Sequence, residues 1–289
     1  MKELLILSGK GGTGKTTVAS AFIALSKAKA YADCDVDAPN LHIINGHDEE
    51  PTITDYYGLP KARINEDVCI GCGKCMDVCR FNAIKKDGGK YRIDDFACEG
   101  CSVCEYVCPV SAINMHPEVA GDLKLYKRKN EIFSAAQLRM GSGTSGKLVT
   151  EVKKQMRVEA KKIADFAIID GSPGIGCPVI ASLAGADMVL IVAEPSVSGI
   201  SDMERILDTA ANFGVKSAVC INKADINIEN SDKIEEFCQK RNISFMGRIP
   251  FDQEAVKAVN SCQTVVERDC PSGRAIKRIY ENVRKEFIK

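Results

Sequence analysis

Histidine is scarce in this chain, three in 289 residues, and neither sign of charge dominates, with 39 Lys and Arg against 39 Asp and Glu. That balance, and the lack of any Lys/Arg stretch interleaved with aromatics, argues against a nucleic-acid partner. Apolar runs stay short of the roughly 18 residues that would suggest a membrane span. The first residues lack the long apolar stretch and small-residue cleavage site of a secretory signal, passing from Met1-Lys2 into a short apolar segment that ends at Gly9. The 14 cysteines therefore do not read as secreted disulfides, and the reducing cytoplasm is the expected setting. A hydrophobic content of 45% suffices for one large α/β core and a small satellite domain.

Eight of the cysteines fall in two runs, Cys69-x2-Cys72-x2-Cys75-x3-Cys79 and Cys98-x2-Cys101-x2-Cys104-x3-Cys108-Pro109. This is the bacterial-ferredoxin spacing for two [4Fe–4S] clusters. Soft, charge-donating thiolates suit iron–sulfur clusters, and the x2 spacings let three sulfurs converge from one tight loop. Zinc fits less well, because its sites take two separated Cys-x2-Cys pairs, or Cys with His. Only His116 lies near these runs. The ferredoxin pattern implies crossed ligation, in which Cys69, Cys72, Cys75 and Cys108 hold one cluster and Cys98, Cys101, Cys104 and Cys79 the other. Cys79 is followed by Arg80 where Cys108 is followed by proline, so the two clusters are expected to differ in potential. Residues Cys69–Ile84 and Cys98–Ile113 align position by position, including Ala83-Ile84 with Ala112-Ile113. Pro60 and Pro117 bracket this block, which divides the chain into 1–59, an inserted ferredoxin-type unit at 60–117, and 118–289.

Upstream, Ser8-Gly9-Lys10-Gly11-Gly12-Thr13-Gly14-Lys15-Thr16-Thr17 satisfies G-x4-G-K-[ST] counted from Gly9. The glycines let backbone N–H groups turn toward phosphate oxygens, Lys15 is expected to reach the β and γ phosphates, and the Thr16 hydroxyl to bind Mg²⁺. A second match, Gly141-Ser142-Gly143-Thr144-Ser145-Gly146-Lys147-Leu148, has leucine where a hydroxyl is needed. No strong strand is expected before it, so it reads as a flexible Gly/Ser connector, free to move beside the nucleotide or the ferredoxin-type unit.

Hydrophobic patterning predicts strands at Glu3–Leu7, Lys29–Ala32, Phe166–Asp170, Met188–Ala193, Ser217–Asn222 and Ser244–Ile249. Helices are predicted at Lys15–Leu25, Gly146–Ile163, Ile200–Phe213, Glu229–Arg241 and from Ser272 to the end. The alternation implies an α/β fold, a mostly parallel sheet with helices on both faces, carrying a small inserted α+β unit.

The early lysine of the loop, Lys10, resembles the deviant Walker A motif of the MinD/ParA/nitrogenase-iron-protein superfamily, and the chain looks like its members that carry an inserted ferredoxin domain. The resemblance implies a nucleotide-sandwich homodimer in which Lys10 contacts the partner's phosphates. By likeness, Asp33-Cys34-Asp35-Val36-Asp37-Ala38-Pro39-Asn40 is switch I, with Asp35 positioning the attacking water and Asp33 supporting the Mg²⁺ shell. Phe166-Ala167-Ile168-Ile169-Asp170-Gly171-Ser172-Pro173-Gly174 resembles the Walker B strand and switch II, with Asp170 on Mg²⁺ and Gly174 sensing the γ-phosphate. Asn222 is similar to the family's adenine-contacting Asn, and Pro250-Phe251-Asp252 to the segment flanking the base. Cys177 lies seven residues beyond Asp170, as does a cluster ligand of the nitrogenase iron protein, but the loop around Gly141–Gly146 has no second cysteine. It is read as a packing residue, as are Cys220 and Cys238. MinD ends in a membrane-targeting amphipathic helix. Here the apolar face Ile276, Ile279, Tyr280, Val283 and Phe287 reads as packed on the sheet instead.

The combined expectation is a cytoplasmic ATPase that binds ATP and Mg²⁺ and carries two [4Fe–4S] clusters. Its homodimer and nucleotide state would be coupled to electron transfer toward an unidentified redox partner. The alternatives are assembly or delivery of clusters to a client protein, and a MinD-like positioning role with the clusters sensing redox state.

Overall fold

The computed structural model describes residues 1–46, 49–128 and 130–287. The chain opens with β1 (Lys2–Leu7), α1 (Lys15–Ser26), β2 (Ala30–Asp33), the short α2 (Leu41–Ile44) and β3 (Thr52–Tyr57). A cysteine-rich excursion follows: β4 (Lys61–Ile64), α3 (Lys74–Val78), β5 (Ile84–Asp87), β6 (Lys90–Ile93), α4 (Val103–Tyr106) and β7 (Ile113–His116). The chain then builds β8 (Val119–Arg128), β9 (Glu131–Leu138), α5 (Ser145–Ala160), β10 (Phe166–Asp170), α6 (Cys177–Leu183) and β11 (Met188–Ala193). It finishes with α7 (Val197–Asn212), β12 (Lys216–Asn222), α8 (Ile228–Lys240), β13 (Ser244–Ile249), α9 (Gln253–Asn260) and α10 (Pro271–Phe287). The last two positions of the helix expected to reach residue 289 lie outside the described residues.

Nine strands form one sheet in the order β13-β12-β11-β1-β10-β2-β9-β8-β3. The seven from β13 to β9 are parallel, and β8 and β3 add an antiparallel edge. Both faces are covered because successive side chains alternate. Leu5 and Leu7 of β1 enter one core with α5, α6, α7 and α8. Leu4 and Ile6 enter the other, with α1 and α10. Ile276, Ile279 and Val283 of α10 are buried there, so its apolar face packs on the sheet. Among the described residues no helix is long and apolar enough to cross a membrane.

The excursion hangs from the edge of this sheet. Tyr57, the last residue of β3, pairs with Val119, the first of β8, so the chain leaves and returns at adjacent points. Because β3 runs parallel to β9, that exit lies at the carboxyl edge of the parallel strands, where open α/β sheets bind ligands. Between these points the chain forms two two-stranded sheets, β4–β7 and β5–β6, around a small core of Ala62, Ala83, Ile84, Tyr91 and Ile113 together with Cys75 and Cys98.

One sequence expectation fails here. A regular strand, β9, does precede the Gly141–Leu148 segment, and it pairs with β2 in the main sheet. The β8–β9 hairpin escapes periodicity because both faces of β9 are buried, leaving little alternation to read. Leu148 itself is fully buried in the α5 core. Leu148→Ala is expected to lower the unfolding free energy by about 2–5 kcal/mol in a urea titration. An unchanged midpoint would contradict that burial.

Candidate functional site

The loop between β1 and α1 turns through Gly14, whose φ of 92° is left-handed. A Cβ there would also stand 2.2 Å from the Asn222 side-chain nitrogen, so the position excludes any larger residue. Lys15 follows as the first residue of α1, and its ammonium lies 2.5 Å from Asp170 Oδ1. Asp170 ends β10 and Asp33 ends β2, and the two are paired across neighbouring strands. Both aspartates are wholly inaccessible and Lys15 nearly so. Burial alone would lower the Lys15 pKa, but the Asp170 and Asp33 carboxylates outweigh it and hold the ammonium above its ordinary value. Burial, then Asp170, pushes Asp33 up, and burial also raises half-buried Asp35.

The two buried carboxylates are engaged differently. Asp33 Oδ1 accepts from the Asp35 amide, and Oδ2 accepts from the Asn40 and Leu41 amides, each at 3.0 Å, so it ties down the loop before α2. Asp170 Oδ2 has no hydrogen-bond partner although it is buried. An orphaned carboxylate oxygen beside the phosphate loop fits a hydrated Mg²⁺. The loops after the strands are knitted together. Ser172 Oγ donates to the Cys34 carbonyl, the Cys34 amide donates to Asp170 O at 2.7 Å, and the Gly174 amide donates to Ser8 O at 3.0 Å. Gly174 has φ 93°.

Lys10 is held within its own chain, 2.9 Å from Glu194 and 3.3 Å from Ser196 Oγ. That contact holds the Glu194 carboxyl below its usual range. Lys223 also faces Glu194, at 3.6 Å, and donates to Gly12 O at 3.1 Å. Glu194, Ser196 and Lys223 were not picked out from the sequence; their positions just beyond β11 and β12 were the available signal. Gly9, Gly11, Gly12, Thr13, Thr16 and Thr17 lie in or beside the same loop. Next to it a cavity of about 340 Å³ is lined by Gly12, Gly14, Thr17, Asn222, Pro250, Phe251 and Asp252. Asn222 donates to Thr13 O at 2.7 Å. The Asp252 carboxylate caps α9 through the Glu254 amide and accepts from the Ser272 amide and hydroxyl.

The eight clustered cysteines separate into two groups. Cys79, Cys98, Cys101 and Cys104 line one small cavity with Phe81 and Val103. Cys69, Cys72, Cys75 and Cys108 line another with Ile70 and Val110. Each cavity thus takes three thiols from one run and the fourth from the other. Among the described residues no three His, Cys, Asp or Glu stand close enough together to hold one metal ion. Thiolates around one zinc would stand about 3.8 Å apart, as Zn–S bonds of 2.3 Å in a tetrahedron require. A cubane has four irons, each needing one thiolate, and accepts a wider ring. The small buried core of this unit is what a metal-stapled fold of its size shows.

Of the remaining cysteines, Cys34, Cys220, Cys238 and Cys270 are buried. Cys177 is not a packing residue: it is exposed, at the first position of α6.

Residues 62–115 match the family described as a 4Fe-4S dicluster domain. The chain is 32% identical to the uncharacterized protein MJ0578 of Methanocaldococcus jannaschii, over 99% of this chain and 97% of that one. It is 25% identical to the septum site-determining protein MinD of Bacillus subtilis, over 99% and 89%. Against an iron-sulfur cluster carrier protein of Pyrococcus horikoshii the identity is 24%, over 97% and 85%. Its fold matches that of Pyrococcus horikoshii MinD complexed with Mg-ADP, with a TM-score of 0.60 at 17% identity, over 99% of this chain and 96% of that one.

The buried ion pair makes a direct prediction. Lys15→Met leaves Asp170 and Asp33 buried without their cation, which should cost the nucleotide-free protein about 3–5 kcal/mol. Asp33, whose carboxyl burial already pushes up to about 7, loses its stabilising contribution as pH rises through the interval between its unfolded and folded values. The variant should therefore be weakest near about pH 8 and recover toward about pH 6. Thermal unfolding that matches the wild type at both pH values would contradict this.

Proposed function

Because the chain belongs to the MinD/ParA family of P-loop ATPases and carries a 4Fe-4S dicluster domain, we propose that it hydrolyses ATP as a nucleotide-bridged dimer and uses nucleotide state to control electron transfer through two [4Fe–4S] clusters. Residues 60–117 are the cluster-bearing unit, and 1–59 with 118–289 the ATPase body. The observation that carries the electron-transfer reading is the division of eight thiols into two four-thiol cavities, with Cys79 and Cys108 exchanged between the runs. Four protein ligands per cluster suit a resident redox group, and crossed ligation ties two clusters into one small unit.

At the nucleotide end the chemistry is an exchange of partners. In the structure Lys15 and Asp170 neutralise each other out of reach of solvent. On ATP binding, Lys15 would turn to the β and γ phosphates, while Asp170 and the Thr16 hydroxyl would face the metal side, so no buried charge is left without a counterpart. Mg²⁺, when bound, offsets negative charge on the phosphate oxygens, and the clusters, when bound, store single electrons. Asp35, whose carboxyl is raised by burial, would orient the attacking water in line with the γ-phosphate. Asp33 would act chiefly by holding the Asp35–Leu41 loop in place. Lys10 would leave Glu194 for the partner's phosphates, Gly174 would report the γ-phosphate through its link to Ser8, and Asn222 with Pro250 and Asp252 would border the base.

A second reading is delivery of a cluster to a client protein. It is favoured by the exposure of Cys72 and Cys101, one ligand in each cavity, and by the relative named as a cluster carrier. The two readings part in one assay. Anaerobically reduced protein is mixed with a one-electron acceptor or with a cluster-free ferredoxin, with and without Mg–ATP. The electron-transfer reading expects ATP-dependent reoxidation of the clusters, seen as recovery of their visible absorbance as the acceptor is reduced, while about eight irons per chain stay with the protein. Iron appearing in the cluster-free ferredoxin would instead establish the carrier reading.

A further inference from the structure

The two halves of the cysteine repeat meet different surroundings. Gly71 and Gly100 hold equivalent places in the two ligand loops, and both are left-handed, with φ of 70° and 66°. A Cβ on Gly71 would meet nothing within 4 Å, whereas one on Gly100 would stand 2.4 Å from the Pro60 carbonyl and 3.0 Å from Leu59. The Lys61 ammonium, in the same approach, donates to the Cys98 carbonyl at 2.5 Å. The loop that carries Cys98 and Cys101 is therefore docked, and the loop that carries Cys69 and Cys72 is free at the matching point.

The segment after β9 also approaches that loop. A Cβ at Gly141 would lie 3.0 Å from the Phe96 ring, and one at Gly143 would lie 3.1 Å from Glu99 Oε2. Phe96 and Glu99 flank Cys98. The last two residues of β9, which lead into this segment, hold the loop beyond Asp33, and Gly146 at its far end meets the start of α6. Leu138 donates its amide to Val36 O at 2.8 Å, and Gln137 Nε2 donates to Asp37 O at 3.0 Å, which ties the segment to the loop that carries Asp35. Gly146 abuts Cys177, where a Cβ would stand 3.1 Å from the carbonyl and 3.2 Å from the Cys177 Cβ. Cys177 starts α6, directly after the Asp170–Gly176 segment. Residues 137–146 thus meet the loop beyond Asp33 at their start and the first residue of α6, just past the loop beyond Asp170, at their end, with Phe96 and Glu99 of the Cys98 loop between.

We propose that residues 137–146 relay nucleotide state to the cluster held by Cys79, Cys98, Cys101 and Cys104, with Gly143 and Gly146 as positioning residues, while the cluster held by Cys69, Cys72, Cys75 and Cys108 stays insulated from it. The inference rests on the reading that both clusters are resident. Glycine suits the task because a backbone-to-neighbour contact has no side chain to absorb a displacement, so movement at either switch is passed on rather than taken up by a rotamer change. This gives the Gly/Ser segment a purpose that its failed phosphate-loop pattern does not.

The test is electron paramagnetic resonance of the reduced protein with and without a non-hydrolysable Mg–ATP analogue. It is run on wild type, on the double variant Phe96→Ala/Glu99→Ala, and on Gly146→Ala. Phe96 is 77% exposed, so its removal leaves the core intact. Gly146→Ala inserts a methyl group between α5 and α6 and touches neither cysteine set. In wild type the analogue should change the signal of one cluster and leave the other alone. In both variants that change should vanish, while the nucleotide-free spectrum and the affinity for the analogue stay within about twofold. Persistence of the full change in either variant would overturn the relay and leave the coupling intact. A wild-type spectrum that ignores saturating analogue would overturn the coupling itself, and the relay with it.

Discussion

A lysine and two aspartates, closed off from water at the carboxyl ends of adjacent parallel strands, set the terms for the rest of this molecule. Lys15 is one residue beyond the phosphate loop, Asp170 ends β10, and Asp33 ends β2. Their burial means that none of the three charges can move without a replacement partner arriving. A triphosphate with its metal is such a replacement. The loops beyond Asp33 and Asp170 are bound to each other and to the phosphate loop through Cys34, Ser172, Gly174 and Ser8. A change of partner at the ion pair is thereby a change felt by both loops.

The sheet's topology brings the second chemistry to the same edge. The antiparallel strands β8 and β3 reverse direction twice, so the cysteine-rich unit is attached beside the nucleotide end rather than at the opposite end. The paired residues Tyr57 and Val119 make a narrow double stalk, through which a unit can be added without disturbing the main core. The stalk alone would leave the unit loosely held. Phe96 and Glu99 lie beside Gly141 and Gly143 of the body, and Gly100 lies beside Leu59-Pro60 where the chain enters the unit, so the loop that carries Cys98 and Cys101 is set close against its surroundings.

Much of this was legible in the sequence, for identifiable reasons. Buried parallel strands such as β10 and β11 read as apolar runs bounded by turns, and their predicted limits match the observed ones, as do those of the half-buried edge strand β13. The cysteine spacing pointed to two groups with Cys79 and Cys108 exchanged between the runs, and the same grouping lines the two cavities. The β8–β9 hairpin was not legible, since β9 is covered on both faces and its Ser134 and Gln137 dilute the apolar run. Cys177 was read as a packing residue because sequence cannot tell an exposed helix start from a buried one. The pairing of Glu194 with Lys10 and Lys223 was not legible for a different reason. Glu194, Lys10 and Lys223 come from three separate strand ends and meet only when the sheet is assembled.

Coupling between nucleotide and cluster is a free energy shared by two sites, so it acts with the same size in both directions. If bound nucleotide alters a cluster, reducing that cluster must alter the affinity for nucleotide by the corresponding factor. The most direct measurement is anaerobic calorimetry of a non-hydrolysable Mg–ATP analogue binding to the oxidised and to the reduced protein. This account predicts two different dissociation constants. Equal constants in the two redox states would contradict it.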